Sequence, residues 1–138
     1  MINSYTNTSQ SLATNDTILF NINDVQTGCT ATHTAGTATF ALNKPGFYFI
    51  TFNGTGAISG SASGTITVNL LNNGTLVNGG TASVTSASTT DIRSISFSKI
   101  IQVRPSCAAI NNKTDLTFVN AGSATAFTNV NVVITKIA

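Results

Sequence analysis

The stretch Pro45-Gly46-Phe47-Tyr48-Phe49-Ile50-Thr51-Phe52-Asn53-Gly54 sets the terms for the whole chain. It holds the densest cluster of aromatics in the sequence. A Pro-Gly turn signal opens it and an Asn-Gly signal closes it, so it reads as one strand, Gly46 to Asn53. Side chains of a strand alternate between its faces. Phe47, Phe49 and Thr51 therefore point one way, and Tyr48, Ile50 and Phe52 the other. Both sets are largely apolar. One set belongs in the domain core, and the other calls for cover by a second chain or layer.

Toward the N-terminus, Ile2 to Thr8 reads as a short polar strand and Ser9 to Asp16 as a loop. Thr17 to Ile22 reads as a strand with Ile18, Phe20 and Ile22 on one face. Asn23 to Gly28 reads as a turn, followed by short extended pieces at Cys29 to His33 and Thr37 to Leu42.

Toward the C-terminus, Gly54 to Gly64 reads as a Gly/Ser/Ala loop, and Thr65 to Leu71 as a strand with Ile66, Val68 and Leu70 inward. Asn72-Asn73-Gly74 predicts a hairpin turn, because Asn-Gly tolerates the positive φ angles of a tight turn. Thr75 to Val84 returns, interrupted at Gly79-Gly80. In Asp91 to Val103 the apolar residues Ile92, Ile95, Phe97, Ile100 and Ile101 do not share one phase. That predicts a bulge near Ser98 to Ile100. Asp115 to Asn120 and Phe127 to Ile137 complete the set, the last with Val130, Val132 and Ile134 on the core face.

About eight to ten short strands with turn signals between them, and no helical period, predict an all-β antiparallel two-sheet sandwich, which a jelly roll fits. Residues 1–138 read as a single domain. Residues 1–16 read as an N-terminal edge strand or attachment segment.

Only 7% of residues are charged, against about a quarter in ordinary domains, so solubility must come from Asn, Thr and Ser. Glu is absent. The acids are Asp16, Asp24, Asp91 and Asp115, and the six Lys and Arg are spread singly, which gives nucleic-acid binding little support. No run is long enough to span a membrane. Met1-Ile2-Asn3-Ser4-Tyr5 lacks the basic and apolar regions of a secretory signal.

Few residues offer chemistry. His33 is the only histidine, and with Cys29 it makes a Cys-x-x-x-His pair, short of the three or four ligands of a zinc site. Ordering of a turn is the expected role of His33. The scattered acids form no recognisable catalytic pair, so neither enzymatic activity nor a cofactor or metal is expected. Cys29 and Cys107 read as reduced thiols; a bridge would need their loops within bonding distance.

With the strands laid out, the chain resembles the trimeric jelly rolls of the tumour-necrosis-factor and complement-globular-head superfamily. The likeness rests on Gly36-Thr37-Ala38-Thr39-Phe40 followed by Pro45-Gly46-Phe47-Tyr48-Phe49, with a longer gap than the family's pattern. It continues through Val68-Asn69-Leu70-Leu71-Asn72-Asn73-Gly74 and the last strand. More narrowly, the chain is similar to short virion proteins of phages and prophages. That likeness is carried by Tyr5-Thr6-Asn7-Thr8-Ser9-Gln10-Ser11, Gly28-Cys29-Thr30-Ala31-Thr32-His33, Pro105-Ser106-Cys107 and Asn129-Val130-Asn131-Val132-Val133-Ile134-Thr135-Lys136-Ile137-Ala138. Ala108 stands where such proteins often carry a second cysteine.

The resemblance implies a homotrimeric head fibre or capsid decoration protein, made in the host cytoplasm and carried on the capsid surface. Its partners would be its own copies and the capsid or another fibre protein. It also implies that the second faces of two strands, Thr117 with Val119 and Asn129 with Asn131, Val133 and Thr135, approach the threefold axis. The alternative is a module binding carbohydrate or a host receptor, such as surface glycans, on a phage fibre or bacterial surface.

Overall fold

A computed structural model describes residues 1–105 and 114–138, and every described element is a strand. The strands are β1 (Ile2–Thr6), β2 (Gln10–Leu12), β3 (Ile22–Gln26), β4 (Ala31–His33), β5 (Phe40–Leu42), β6 (Gly46–Ile58), β7 (Gly64–Asn72), β8 (Thr75–Ser86), β9 (Arg93–Val103), β10 (Thr114–Asn120) and β11 (Thr125–Lys136). Sheet A runs β3-β1-β11-β6-β9, with β2 also paired to β11, and sheet B runs β4-β5-β10-β7-β8. All pairings are antiparallel. From β5 onward the chain passes back and forth between the sheets, which is the jelly-roll path. β8 and β9 lie against each other and close one side of the sandwich.

The core lies between the sheets. Sheet A contributes Tyr48, Ile50, Phe52, Val130, Val132 and Ile134; sheet B contributes Phe40, Leu42, Ile66, Val68, Leu70, Leu116 and Phe118. All of these are buried, in the alternation that the sequence predicts for β6, β7 and β11. Phe118 sits among Phe20, Phe40, Phe52 and Phe97, with ring centroids 5.3 to 6.1 Å away. Aromatic rings at such separations add to the stability from burial.

The Asn73-Gly74 turn forms as predicted, with φ of 49° and 84° at its two central residues. The Gly79-Gly80 interruption is a bulge: Asn69 pairs with Thr81 and Leu71 with Leu76, so residues 77–80 oppose Leu70 alone.

Five expectations need correction. Thr17 to Ile22 is not one strand facing one way. The segment crosses between sheets, bridging Val119 at Thr17 and Thr37 at Phe20 before entering sheet A at Ile22. Ile18 and Phe20 are therefore buried while Ile22 is exposed. Residues in the expected loop at 9–16 and turn at 23–28 form β2 and β3, short strands defined by their partners rather than by apolar alternation. Gly54 to Gly64 is not all loop, since β6 continues to Ile58. A Cβ on Gly56 would lie 2.6 Å from the Ala126 carbonyl oxygen, so the glycine permits close approach to β11 rather than a turn. Finally, β9 has no bulge. Its register against β6 is unbroken from Gly46↔Val103 to Gly56↔Arg93, with Ile95, Ile101 and Val103 buried and Ile100 on the opposite face.

Candidate functional site

Half of the sheet A side chains point away from the core, and cross-strand register sets them in rows. At the start of β6, Ile137 is joined to Phe47 by main-chain hydrogen bonding, and Phe47 pairs with Gln102. The next row is Thr135, Phe49 and Ile100. Val25, Asn3, Val133, Thr51 and Ser98 follow, then Ile22, Tyr5, Asn131, Asn53 and Ser96, then Asn129, Thr55 and Ser94. The apolar end is open: Phe47 is 42% exposed, Phe49 38%, Ile100 52% and Ile137 54%.

No Asp, Glu, Lys or Arg occupies these rows. Lys99 falls on the other side of β9, near Gly79 of β8. The rows themselves therefore hold no ion to desolvate, which lowers the largest cost of association between polar surfaces.

The outward face of sheet B differs. Its rows include Thr65–Thr85, Thr67–Ser83 and Asn69–Thr81. Thr67 Oγ1 lies 2.8 Å from Ser83 Oγ, and Thr81 Oγ1 donates to Asn69 Oδ1 at 2.9 Å. Beside β4 the same sheet carries an open cleft of about 400 Å³, lined by Thr32, His33, Thr34, Thr37, Thr39, Ala41 and Asp115.

The structure does not bring the six expected interface residues together. Asn129, Asn131, Val133 and Thr135 lie on the outward face of sheet A. Thr117 and Val119 lie on β10 in sheet B, Thr117 opposite Leu71 and Val119 buried where Thr17 bridges it. Alternation tells which residues share a face of one strand, but not which sheet the strand joins. Ile100, on a strand from which that expectation drew no residue, lies on the outward face of sheet A. The period of Ile95, Phe97, Ile101 and Val103 was the available signal.

His33 clasps the two sheets where β3 and β4 meet. It is buried, stacked on Phe40 with ring centroids 4.2 Å apart. Nε2 donates to the Thr37 carbonyl at 2.9 Å, and Nδ1 lies 2.6 Å from Asn23 Oδ1, which accepts from Ser4 Oγ. Asn23 Nδ2 returns a bond to the His33 carbonyl at 2.7 Å. Burial lowers the His33 pKa below 6.5, partly offset by the bond to Thr37. With the neutral ring favoured, Nε2 holds the turn through the Thr37 carbonyl, and the tie between β3 and β4 is the Asn23 Nδ2 bond to the His33 carbonyl. Cys29 is exposed, and Cys107 lies outside the described residues, as does any pairing between them. Among the described residues no group of three or more His, Cys, Asp or Glu stands close enough to hold a metal.

The strand order and the antiparallel pairing define a two-sheet jelly roll. Among solved structures, the chain is similar to PRD1 vertex protein P5, with a TM-score of 0.51 and 15% identity over 99% of this chain and 96% of that one. It is likewise similar to murine APRIL, crystallised at pH 8.5, with a TM-score of 0.55 and 8% identity over 99% and 98% of the two chains. No protein-family model matches the sequence, and no curated protein matches it.

Proposed function

We propose that this chain is a non-enzymatic structural protein of a phage particle, a homotrimeric head fibre or capsid decoration protein that assembles through the outward face of sheet A. The observation that carries this reading is an uncharged sheet face with Phe47, Phe49, Ile100 and Ile137 exposed at one end. About half of each of these side chains remains to be covered, worth about 1 kcal/mol apiece before the costs of association. Asn131, Val133 and Thr135 complete the contact. The fold shared with PRD1 vertex protein P5 supports the virion setting. Immunogold labelling of purified particles tests it: label on the capsid surface is expected, and absence of the chain from particles contradicts it.

One observation favours a second reading. The cleft on sheet B faces away from the proposed contact and offers threonine hydroxyls, groups that suit a sugar. Glycan-array screening tests this reading, and the absence of any bound glycan would remove it.

A further inference from the structure

We propose that the end of the fold where β6 begins is a cationic docking end for an acidic protein surface. Three of the chain's cations meet there. Lys44 lies in the turn that leads into β6; Arg104 follows Val103, the partner of Gly46 across β9; and Lys136 closes β11 opposite Tyr48. The Lys136 side chain lies against Gly46, in the space where a Cβ would stand. Strands β11, β6 and β9 are neighbours in that order, so the three charges flank one turn.

The turn is fixed. Buried Tyr48 donates from its hydroxyl to the Lys44 carbonyl at 2.7 Å. All three cations are exposed, and none forms an ion pair among the described residues. The ion pair that is described, Arg93 with Asp91 at 3.0 Å, belongs to the opposite end of β9. Two negative groups share that end: the Ala138 terminal carboxylate, whose oxygen accepts from Phe47 N at 3.0 Å beside Gly46, and Asp115, which pairs with Ala41 three residues before Lys44. The other acidic side chains lie elsewhere. Asp16 accepts from Ala13 N in the loop after β2, and Asp24 lies on the edge strand β3. No acidic side chain occurs on β1, β6, β9 or β11.

In a chain so poor in charge, three cations with no ion pair among the described residues, set against the Ala138 carboxylate and Asp115, leave that end net positive and give it a distinct field. They surround a turn rather than forming the stripe that tracks a nucleic-acid backbone, which favours a protein surface. This inference rests on the proposed assembly for one feature only: packing copies through sheet A sets their β6 starts side by side and multiplies the charge of a single copy. The apolar contact and the charged end then divide the work, salt-insensitive assembly from salt-sensitive docking.

The test uses immobilised poly-L-glutamate as the probe, read by biolayer interferometry, with the solution mass of each sample measured alongside. At about 50 mM salt the chain binds, and at about 0.5 M binding is lost by screening. The triple variant Lys44→Gln, Arg104→Gln and Lys136→Gln binds at least about tenfold more weakly, while the control Arg93→Gln with Lys99→Gln binds as the parent does. Equal binding by the triple variant and the parent overturns the inference, as does retention by a DNA duplex with none by polyglutamate. A triple variant of unchanged mass that loses binding supports it. A monomeric parent whose binding still depends on the three cations would sink the assembly and keep the docking end.

Discussion

The two outward faces of the sandwich are made from similar strands and end differently. On sheet B, hydroxyl and amide side chains bond to one another across β7 and β8. That surface is content in water. On sheet A, the corresponding rows place Phe47, Phe49 and Ile100 beside Thr135 and Gln102, with no charge and with large apolar groups open. Antiparallel sheets commonly leave one face to solvent. Here both are left, but only one is built for it. The difference shows that polar composition alone does not mark a free surface; the placement of a few large side chains decides.

The largest effect should come from the layer that both faces share. Phe118→Ala removes the ring at the centre of the aromatic cluster and should cost roughly 3–5 kcal/mol of stability, read by denaturant unfolding. If it were silent, the core would not be what holds the two faces apart. The next effect separates the faces. Phe49→Asp places a carboxylate in the proposed contact and should weaken assembly by at least about a hundredfold, because covering an unpaired charge costs several kcal/mol. Thr67→Asp, on sheet B, should leave the solution mass unchanged. Equal responses at the two positions would erase the comparison.

A smaller change sharpens it. Ser83→Ala breaks the bond to Thr67 and should cost about 0.5–1.5 kcal/mol of stability without altering assembly. The smallest effect is expected at the clasp. Burial lowers the His33 pKa, so the folded chain favours the neutral ring and the unfolded chain takes up the proton first. Stability should therefore decline as pH falls from 6.5 through the lowered value, seen as a modest drop in Tm. His33→Gln should flatten that slope, and an unchanged slope would assign it to other groups.

Much of the fold was legible because its central strands alternate cleanly. Ile66, Val68 and Leu70, or Val130, Val132 and Ile134, announce their inward face without help. The edge strands were not legible. Residues 10–12 and 22–26 hold few apolar groups, and their extended form comes from pairing with β11 and β1. Gly54 and Gly56 were misleading because glycine signals both a turn and a close approach, and only the neighbouring strand decides. Part of the candidate site was visible in the second face of the Phe47-Tyr48-Phe49 stretch. What could not be read was sheet membership, which separates Val119 from Val133; the unbroken phase of β9 was present in Ile95, Phe97, Ile101 and Val103 but was obscured by Ile92 and Ile100 on the other face.

Above all, sheet A's outward face is proposed to be a contact between copies. The most direct test is the solution mass of the 14.2 kDa chain by light scattering, at about 50 mM and about 1 M salt. A trimer is expected at both, because the apolar rows in contact carry no ions. A monomer, or a trimer that dissociates at high salt, would contradict it.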